Sequence, residues 1–302
     1  MICASCDLDY IFTSDILIEM KRTIPQWIKK KVRVNKNYYY VKSLLKELGL
    51  HTVCESAFCP NIYECFSKKY ATFMILGNTC TRNCKFCGVN SGKPEPVDEK
   101  EPEKIAAGVK KLSLKYAVIT SVTRDDLPDG GANHFAEVTR KIKELNAGKT
   151  KIELLIPDFH GEKRNLNIVF ESNPDVISHN IETVLSLYSS VRPEASYSIS
   201  LKVLDEIKKA GFPSKSSFML GLGENKKEVI KMMEDLRKVN CEFLVIGQYL
   251  QPSKNAFPVK EYIKPEIFEE YKEIGEKMGF KRVFAGTFFR SSYMAEELIQ
   301  PY

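Results

Sequence analysis

The chain has 302 residues and a net charge of +6, and 43% of its residues are hydrophobic and 28% charged. These values are ordinary for a soluble globular protein with one large domain or two modest ones. No run of about 18 apolar residues occurs, so the sequence predicts no membrane span. The start of the chain lacks the basic flank and the long apolar core of a signal peptide, and it is too acidic for a mitochondrial transit peptide.

Residues 1–40 look irregular, and they include a basic stretch from Lys21 to Lys36. Two interpretations of this stretch stay open: a solvated N-terminal arm, or a docking surface for an acidic partner. Nucleic acid is not expected as a partner, because no stacking motif accompanies the basic residues. A helix is predicted over 40–50, where apolar residues recur at three- and four-residue spacing.

Short apolar runs then alternate with amphipathic segments. The runs predict six strands, over 70–76, 116–122, 151–157, 175–181, 216–222 and 243–250. The segments between them predict helices over 102–114, 134–145, 198–211 and 226–239. Strands that are apolar throughout and separated by helices indicate a buried parallel sheet. We therefore predict an α/β fold, a partial (β/α)6 TIM-type barrel, with an open doubly wound sheet as the alternative.

Three regions follow from this pattern. We predict an N-terminal extension over 1–66, a barrel over 67–260 and a C-terminal extension over 261–302, with both extensions covering the active-site face. Barrel enzymes carry their chemistry at the C-terminal ends of the strands. Polar, turn-rich motifs follow each predicted strand here, and the first of them is GNTCTRNCKFCG.

Six of the nine cysteines lie between Cys54 and Cys87, as two triplets. The triplets are Cys54, Cys59, Cys65 and Cys80, Cys84, Cys87. The odd total and the clustering argue against disulfides and predict reduced thiols in a reducing compartment, the cytoplasm. Because an iron–sulfur cube needs four iron ligands, three thiolates leave one iron open. Two triplets therefore predict two clusters, and structural zinc is the weaker alternative because neither triplet has paired CxxC units.

The second triplet, with Phe86 before its last cysteine and Gly88 after it, resembles the radical SAM superfamily. The resemblance implies a 4Fe–4S cluster whose open iron binds the amino and carboxylate groups of S-adenosylmethionine. The first triplet, CESAFCPNIYEC, resembles the auxiliary-cluster motif of the lipoyl synthase family. Further motifs of that family follow in order between Trp27 and Ala295, among them SVTRDDLPDGGANHF, IELLIPDFHG, HNIETV, GLGE and RSSY. Two departures, Asn255 in place of a histidine and Thr287 in place of a proline, leave local loop shape open.

The resemblance implies a sulfurtransferase that inserts sulfur at carbons six and eight of an octanoyl chain linked to a lysine of a carrier domain. Such carriers are the E2 subunits of 2-oxoacid dehydrogenases and the glycine cleavage H protein. The hydrogens to be removed have no usable acidity, so a radical from S-adenosylmethionine is needed, and the auxiliary cluster is consumed as the sulfur source. The resemblance also implies an electron donor, such as flavodoxin or ferredoxin, and a carrier that repairs the cluster.

Candidates for S-adenosylmethionine binding lie in or after the strands: Thr123, Arg124, Glu153, Asn180 and Arg192. Alternatives stay open, because Arg124 can pair with Asp125 or Asp126, and Glu153 can serve packing. His179 and Cys241 are interpreted as buried structural residues. Cys3 and Cys6 precede Met20, a possible functional start, and are interpreted as incidental.

The resemblance assigns the fourth ligand of the auxiliary cluster to Ser292, in the RSSY motif. The alternative is that these serines cap a helix that begins near MAEEL. Two other functions compete with the family's reaction. One is a different radical SAM enzyme with an auxiliary cluster, and the other is a non-catalytic iron–sulfur carrier, which needs no barrel cavity.

Overall fold

The computed structural model describes residues 24–299. The predictions for Cys3, Cys6 and Met20, and the beginning of the basic stretch, lie outside these residues. Within them, no helix combines the length and the apolar character that crossing a bilayer requires.

A twisted parallel sheet is the centre of the fold. The strands of the fold are β1 (His51–Thr52), β2 (Thr72–Ile75), β3 (Thr79–Cys80), β4 (Asn90–Ser91), β5 (Tyr116–Ser121), β6 (Lys151–Leu155), β7 (Val176–Ser178), β8 (Ser214–Leu220), β9 (Phe243–Gln248) and β10 (Arg282–Gly286). The strands β3 and β4 form a separate two-stranded ribbon, and the other eight form the main sheet. The order in the main sheet is β1-β2-β5-β6-β7-β8-β9-β10, and only β1 among these described strands runs antiparallel. Because β1 and β10 remain as edges within residues 24–299, the barrel is partial.

Most of the helices cover the convex side of this sheet, whereas Ala295–Ile299 packs against the concave side. The longer ones are Lys36–Leu48, Glu101–Leu112, Ala132–Leu145, Lys163–Glu171, Tyr197–Lys209, Lys226–Lys238 and Pro265–Lys277, and the shorter ones are Val53–Ser56, Ile62–Ser67, Tyr188–Val191 and Ala295–Ile299. Local sequence sets several of their ends. Asn225 and Glu228 form a capping box at the start of Lys226–Lys238. Gly49 ends the helix Lys36–Leu48 in the left-handed conformation.

Each strand presents one set of side chains to the helices and the other to the concave side. In β5, Ala117 and Ile119 join the main core, whereas Tyr116 and Val118 pack with Ala295 of the C-terminal helix. This alternation follows from the two-residue period of a strand.

The segment after β10 therefore lies in the concave side of the sheet. At Gly247 of β9, an added Cβ would lie 2.2 Å from the carbonyl oxygen of Phe289, so only glycine permits this approach. Leu298 packs with Phe243 and Val245 of the same strand. The C-terminal segment thus fills much of the barrel interior.

The predicted fold is confirmed as a partial α/β barrel, and all six predicted strands are present. The structure adds a seventh parallel strand, β10, which pairs with β9. It follows the helix Pro265–Lys277, and both lie in the region predicted as a C-terminal extension. The sheet therefore continues past residue 260, and the division into three regions stays a prediction.

Candidate active site

The second cysteine triplet lies in a loop at the C-terminal end of β2, as the sequence predicts. The short strands β3 and β4 pair on either side of it. The sulfur of Cys80 accepts hydrogen bonds from the backbone amides of Arg82 and Thr123, at 3.4 and 3.3 Å. The sulfur of Cys87 accepts one from Val89 at 3.4 Å. Amide donors aimed at sulfur suit thiolates that bind an iron–sulfur cluster.

The thiols of this loop are close enough to influence one another. Burial raises the pKa of the Cys87 thiol to about 12, and the neighbouring Cys84 and Cys80 add to the rise. Burial also raises the pKa of Cys84, while the guanidinium of Arg192 opposes that shift. A metal that binds these sulfurs must therefore displace their protons.

A buried arginine fixes the same loop to the barrel. Arg82 donates to Asp158 from two nitrogens, at 2.6 and 2.8 Å, and to Asp125 at 2.7 and 2.9 Å. Burial alone would raise the pKa of Asp158, but the hydrogen bonds and charge of Arg82 outweigh it and lower that pKa to about 2. The cysteine loop is thereby tied to the loops after β5 and β6.

The first triplet lies on two short helices next to β1 and on the turn between them, which carries Cys59. Cys54 is in Val53–Ser56, which Thr52 caps by accepting from the Glu55 amide at 3.3 Å. Burial raises the pKa of Cys54, and the thiols of Cys59 and Cys65 raise it further. Burial also raises the pKa of Cys65, to about 12. The three thiols therefore lie near one another, on residues that a cluster can use.

All seven cysteines of residues 24–299 are free thiols. Within the same residues, no group of three His, Cys, Asp or Glu side chains is close enough to hold one metal ion. A cube distributes its thiolates over separate irons, so its ligands stand further apart than the ligands of a single ion.

The two triplets meet at Gly88, directly after Cys87. A Cβ on Gly88 would lie 3.1 Å from the ring of Phe58 and 3.2 Å from the Cα of Ala57. Ala57 and Phe58 stand between Cys54 and Cys59. The absence of a side chain at Gly88 therefore allows the two cysteine segments to touch.

The C-terminal segment contacts the residues that lie between Cys59 and Cys65. Asn61 donates to the carbonyl of Phe288 at 2.6 Å. The hydroxyl of Tyr293 donates to Glu64, at 3.0 and 3.1 Å, in the helix that carries Cys65. The N-terminal and C-terminal segments are thus joined beside the first triplet.

Ser292 lies between two anchored residues of that segment. The carbonyl of Ser291 accepts from Lys215 at 2.8 Å, and Tyr293 is held by Glu64. The helix after them begins at Ala295, so neither serine occupies its N-cap position, and the capping alternative is wrong. Coordination by Ser292 stays a prediction.

Thr123 and Arg124 lie beside the second triplet. The carbonyl of Thr123 accepts from both the amide and the hydroxyl of Thr81, each at 3.0 Å. Arg124 donates twice to Asp126 at 2.8 Å and once to the carbonyl of Leu76 at 3.2 Å. Arg124 therefore forms the loop ion pair that the sequence left open, and its role toward a cofactor stays a prediction.

Asn180 and Arg192 carry unsatisfied polar atoms. Arg192 donates to the carbonyl of Asn180 at 3.2 Å and to the hydroxyl of Tyr188 at 3.0 Å. Asn180 Oδ1 and Arg192 Nε are buried and have no hydrogen-bond partner among the residues that the structure describes. Buried polar atoms of this kind call for a polar ligand, and S-adenosylmethionine offers such groups.

Glu153 lies deeper in the barrel than the cysteine loops. It is fully buried and accepts from Tyr116 at 2.7 Å and from Ser178 at 2.8 Å, and it forms an ion pair with Lys215. These contacts favour the packing interpretation that the sequence left open. Binding of the cofactor by Glu153 stays a prediction.

The two buried structural residues lie where the sequence analysis predicted. His179 uses both ring nitrogens, toward the carbonyl of Ile156 at 2.9 Å and the hydroxyl of Ser200 at 3.0 Å. Cys241 is fully buried before β9.

Two further polar residues of the site, Glu182 and Arg290, were not identified from the sequence. Glu182 has a positive φ of 67°, and burial raises the pKa of its carboxyl group although Arg192 and Arg290 oppose the rise. Arg290 interacts electrostatically with Cys59 as well as with Glu182, so it links the two sides of the site. HNIETV and RSSY contain these residues, but nothing local in those motifs shows which members face inward.

Within residues 24–299, two of the cavities lie outside the cysteine loops. One of about 80 Å³ lies between the loops after β5 and β6 and is lined in part by Thr123, Asp125 and His160. A larger one, of about 720 Å³, lies at the opposite end of the strands, around Lys115 and Leu145. The larger cavity is remote from the cysteines, so cavity volume does not identify the candidate active site in this protein.

A partial barrel with a three-cysteine loop after its first parallel strand defines the class of protein: the radical SAM superfamily. A family model described as "Radical SAM superfamily" matches residues 74–236, which is more than half of the chain. A second model, the N-terminal domain of lipoyl synthase of the radical SAM family, matches residues 17–59.

Relatives of high sequence identity identify the family within this superfamily. A lipoyl synthase of Caldicellulosiruptor saccharolyticus is 55% identical over 280 residues, covering 92% of this chain and 98% of the relative. A lipoyl synthase of Aquifex aeolicus is 55% identical over 262 residues, covering 86% of this chain and 94% of the relative. The chain belongs to the lipoyl synthase family.

Solved structures of low identity share the fold. Methylornithine synthase has a TM-score of 0.53 at 14% identity, covering 82% of this chain and 74% of that one. The Streptococcus suis protein SuiB bound to S-adenosylmethionine has a TM-score of 0.56 at 10% identity, covering 91% and 71%. These likenesses agree with the partial barrel.

Proposed function

We propose that this chain inserts two sulfur atoms at carbons six and eight of an octanoyl group that is linked to a lysine of a carrier protein. The observation that carries the proposal is the contact between the two cysteine segments at Gly88 and Phe58, at the C-terminal end of the parallel strands. A substrate carbon that lies between the triplets would be within reach of both groups.

Two 4Fe–4S clusters fit the two triplets in this proposal. Cys80, Cys84 and Cys87 would hold the first, and the amides of residues 82, 89 and 123 donate to the sulfurs of Cys80 and Cys87. The first triplet, with Ser292 as fourth ligand, would hold the second. When bound, the first cluster and S-adenosylmethionine supply a radical, and the second cluster supplies sulfur.

The chain's own residues would bind S-adenosylmethionine, orient it and exclude water from it. Asn180 and Arg192 offer unsatisfied buried atoms to S-adenosylmethionine, and Thr123 is positioned beside Cys80. Arg124 and Glu153 have protein partners already, so any contact with the cofactor would be additional. Arg290 interacts electrostatically with Cys59 of the first triplet and with Glu182.

The partners follow from this chemistry. We propose octanoylated carrier domains as substrates, namely E2 subunits of 2-oxoacid dehydrogenases and the glycine cleavage H protein. A low-potential donor, such as flavodoxin or ferredoxin, would reduce the first cluster, and a cluster-repair carrier would restore the second. We place the protein in the cytoplasm, because its cysteines need a reducing compartment.

The test is a product assay under anaerobic conditions. The reconstituted protein is mixed with S-adenosylmethionine, a reductant and an octanoylated carrier domain, and the carrier is analysed by mass spectrometry. We expect lipoyl-lysine, together with methionine and 5′-deoxyadenosine. Cleavage of S-adenosylmethionine with no sulfur in the carrier would favour a different radical SAM reaction, and no cleavage would favour an iron–sulfur carrier.

A further inference from the structure

A fully buried ion pair lies in the concave side of the sheet. Lys215 of β8 pairs with Glu153 of β6, and both side chains have 0% of their surface exposed. The hydroxyl groups of Tyr116 and Ser178 also donate to Glu153, at 2.7 and 2.8 Å. The interior of such a barrel is usually filled by branched apolar side chains, so a charged pair at this position needs an explanation.

Stability does not supply that explanation. Removing two charges from water carries a large desolvation cost, and apolar side chains of similar volume often replace a buried pair without loss. Buried pairs are retained more readily where they fix one particular arrangement of the chain. The question is therefore what else Lys215 holds.

The remaining contact of Lys215 leads to the C-terminal segment. Its Nζ atom donates to the backbone carbonyl of Ser291 at 2.8 Å, across 76 residues of sequence. Ser291 directly precedes Ser292. On the other side of Ser292, Tyr293 donates to Glu64, in the helix that carries Cys65. Ser292 is thus held between one anchor in the barrel and one beside the first triplet.

We infer that Lys215, oriented by Glu153, is a positioning residue that fixes the backbone of Ser292 for its task as a cluster ligand. This inference rests on the proposed function, in which Ser292 completes the auxiliary cluster. Lys215 touches neither cluster nor substrate in this scheme. It acts through the Ser291 carbonyl, in the way that outer residues orient the ligands of a metal site.

The experiment compares two variants that differ at Lys215 alone. Glu153→Gln keeps the amine that donates to Ser291 and an amide oxygen that can still accept from that amine, although the amine loses its carboxylate partner. Glu153→Gln/Lys215→Met removes the amine as well and so leaves no unpaired buried charge. We expect the double variant to lose sulfur insertion by roughly ten- to a hundredfold, the range for residues that orient metal ligands. Cleavage of S-adenosylmethionine should stay close to that of Glu153→Gln. If the double variant does not fold, Lys215→Gln, whose shorter side chain does not reach both partners, takes its place.

Two further measurements separate positioning from a general structural role. Hydrogen exchange in the cluster-free protein should become faster over residues 287–294 in the double variant, with little change in the rest of the chain. In a Ser292→Ala background, removal of Lys215 should speed the same exchange to a similar degree, because Lys215 acts on the backbone carbonyl of Ser291. Unchanged exchange over 287–294 in both backgrounds, or a fall in S-adenosylmethionine cleavage equal to the fall in sulfur insertion, would overturn the inference.

The assignment of Ser292 as a cluster ligand can be tested separately from the inference about Lys215. If Ser292→Ala alone makes lipoyl product at the wild-type rate, the ligand assignment is wrong and the inference falls with it. If Ser292→Ala abolishes the product but the double variant retains it, only the inference about Lys215 is wrong.

Discussion

Arg82 and Asp158 are 76 residues apart in sequence and form two hydrogen bonds, at 2.6 and 2.8 Å, in the interior of the site. Arg82 lies between Cys80 and Cys84, and Asp158 follows β6. The side chains are 5% and 2% exposed, so water screens this pair little. The pair therefore fixes the cysteine loop before any cluster is bound.

We predict that Asp158→Asn destabilises the protein by about 3 kcal/mol, because it leaves Arg82 buried with one of its two carboxylates missing. Urea unfolding near neutral pH measures the change. Arg140→Gln is the control: Arg140 also pairs with two carboxylates, but on an exposed helix face, so its loss should leave stability near wild type. Equal effects of the two substitutions would contradict the prediction.

The second prediction concerns iron. Two complete triplets should bind about eight irons per chain after anaerobic reconstitution, four for each cluster. Alanine at all three cysteines of either triplet should reduce this to about four. Iron and sulfide analysis measures both. A wild-type plateau near four irons would show that one triplet holds no cluster.

The third prediction concerns the separate roles of the two cysteine triplets. Cys84→Ala should abolish cleavage of S-adenosylmethionine, because in the proposed function the second triplet holds the cluster that binds this cofactor. Cys54→Ala should retain some cleavage and make no lipoyl product, because it damages only the proposed sulfur source. Parallel assays of 5′-deoxyadenosine and carrier mass test this. Lipoyl product from Cys54→Ala with the first cluster intact would refute the assignment.

The fourth prediction compares neighbouring serines. Ser292→Ala should abolish sulfur insertion while S-adenosylmethionine cleavage continues, because the proposed fourth ligand of the auxiliary cluster is lost. Ser291→Ala is the matched control, since the Ser291 hydroxyl makes no hydrogen bond within the described part of the chain. Its backbone carbonyl, which Lys215 uses, remains. Equal product yields from the two variants would count against Ser292 as a ligand.

Much of the site was predictable because its signals are local. Each cysteine triplet lies within a few residues of sequence, and the six apolar runs identify strands whose order places the Cys80–Cys87 loop at the catalytic face. The strand β10 was missed because RVFAG is short, begins with a charged residue and ends at a glycine. The helix Lys163–Glu171 was missed because it is short and contains two asparagines.

Long-range partners were not predictable in the same way. Lys215 meets Glu153 and Ser291 only after the sheet has formed and the C-terminal segment has entered its concave side. Glu153 illustrates the difficulty: a glutamate in an apolar strand predicts a functional or a structural role equally well. Only the positions of Tyr116, Ser178 and Lys215 favour the structural role.

The last prediction concerns pH. Burial, helped by the charge of Arg192, lowers the pKa of His179 from its ordinary 6.5 to about 4. Between these two pH values the unfolded chain binds a proton at His179 that the folded protein does not bind. The contribution of His179 to the free energy of unfolding is therefore fully present above pH 6.5 and is lost progressively as the pH drops toward 4. The loss between pH 7.5 and about pH 5 should be about 2 kcal/mol from this residue, since each pKa unit corresponds to about 1.4 kcal/mol.

His179→Gln isolates this contribution, because glutamine does not titrate and all other groups remain. Urea unfolding of the cluster-free protein, under anaerobic conditions at both pH values, gives the change in the free energy of unfolding between the two pH values for the wild type and for the variant. The variant should be less stable than wild type near pH 7.5, since the introduced amide replaces neither ring contact in full. It should nevertheless lose about 2 kcal/mol less between the two pH values. Parallel losses in the two proteins would mean that His179 takes up its proton in the folded state, which its buried contacts to Ile156 and Ser200 oppose.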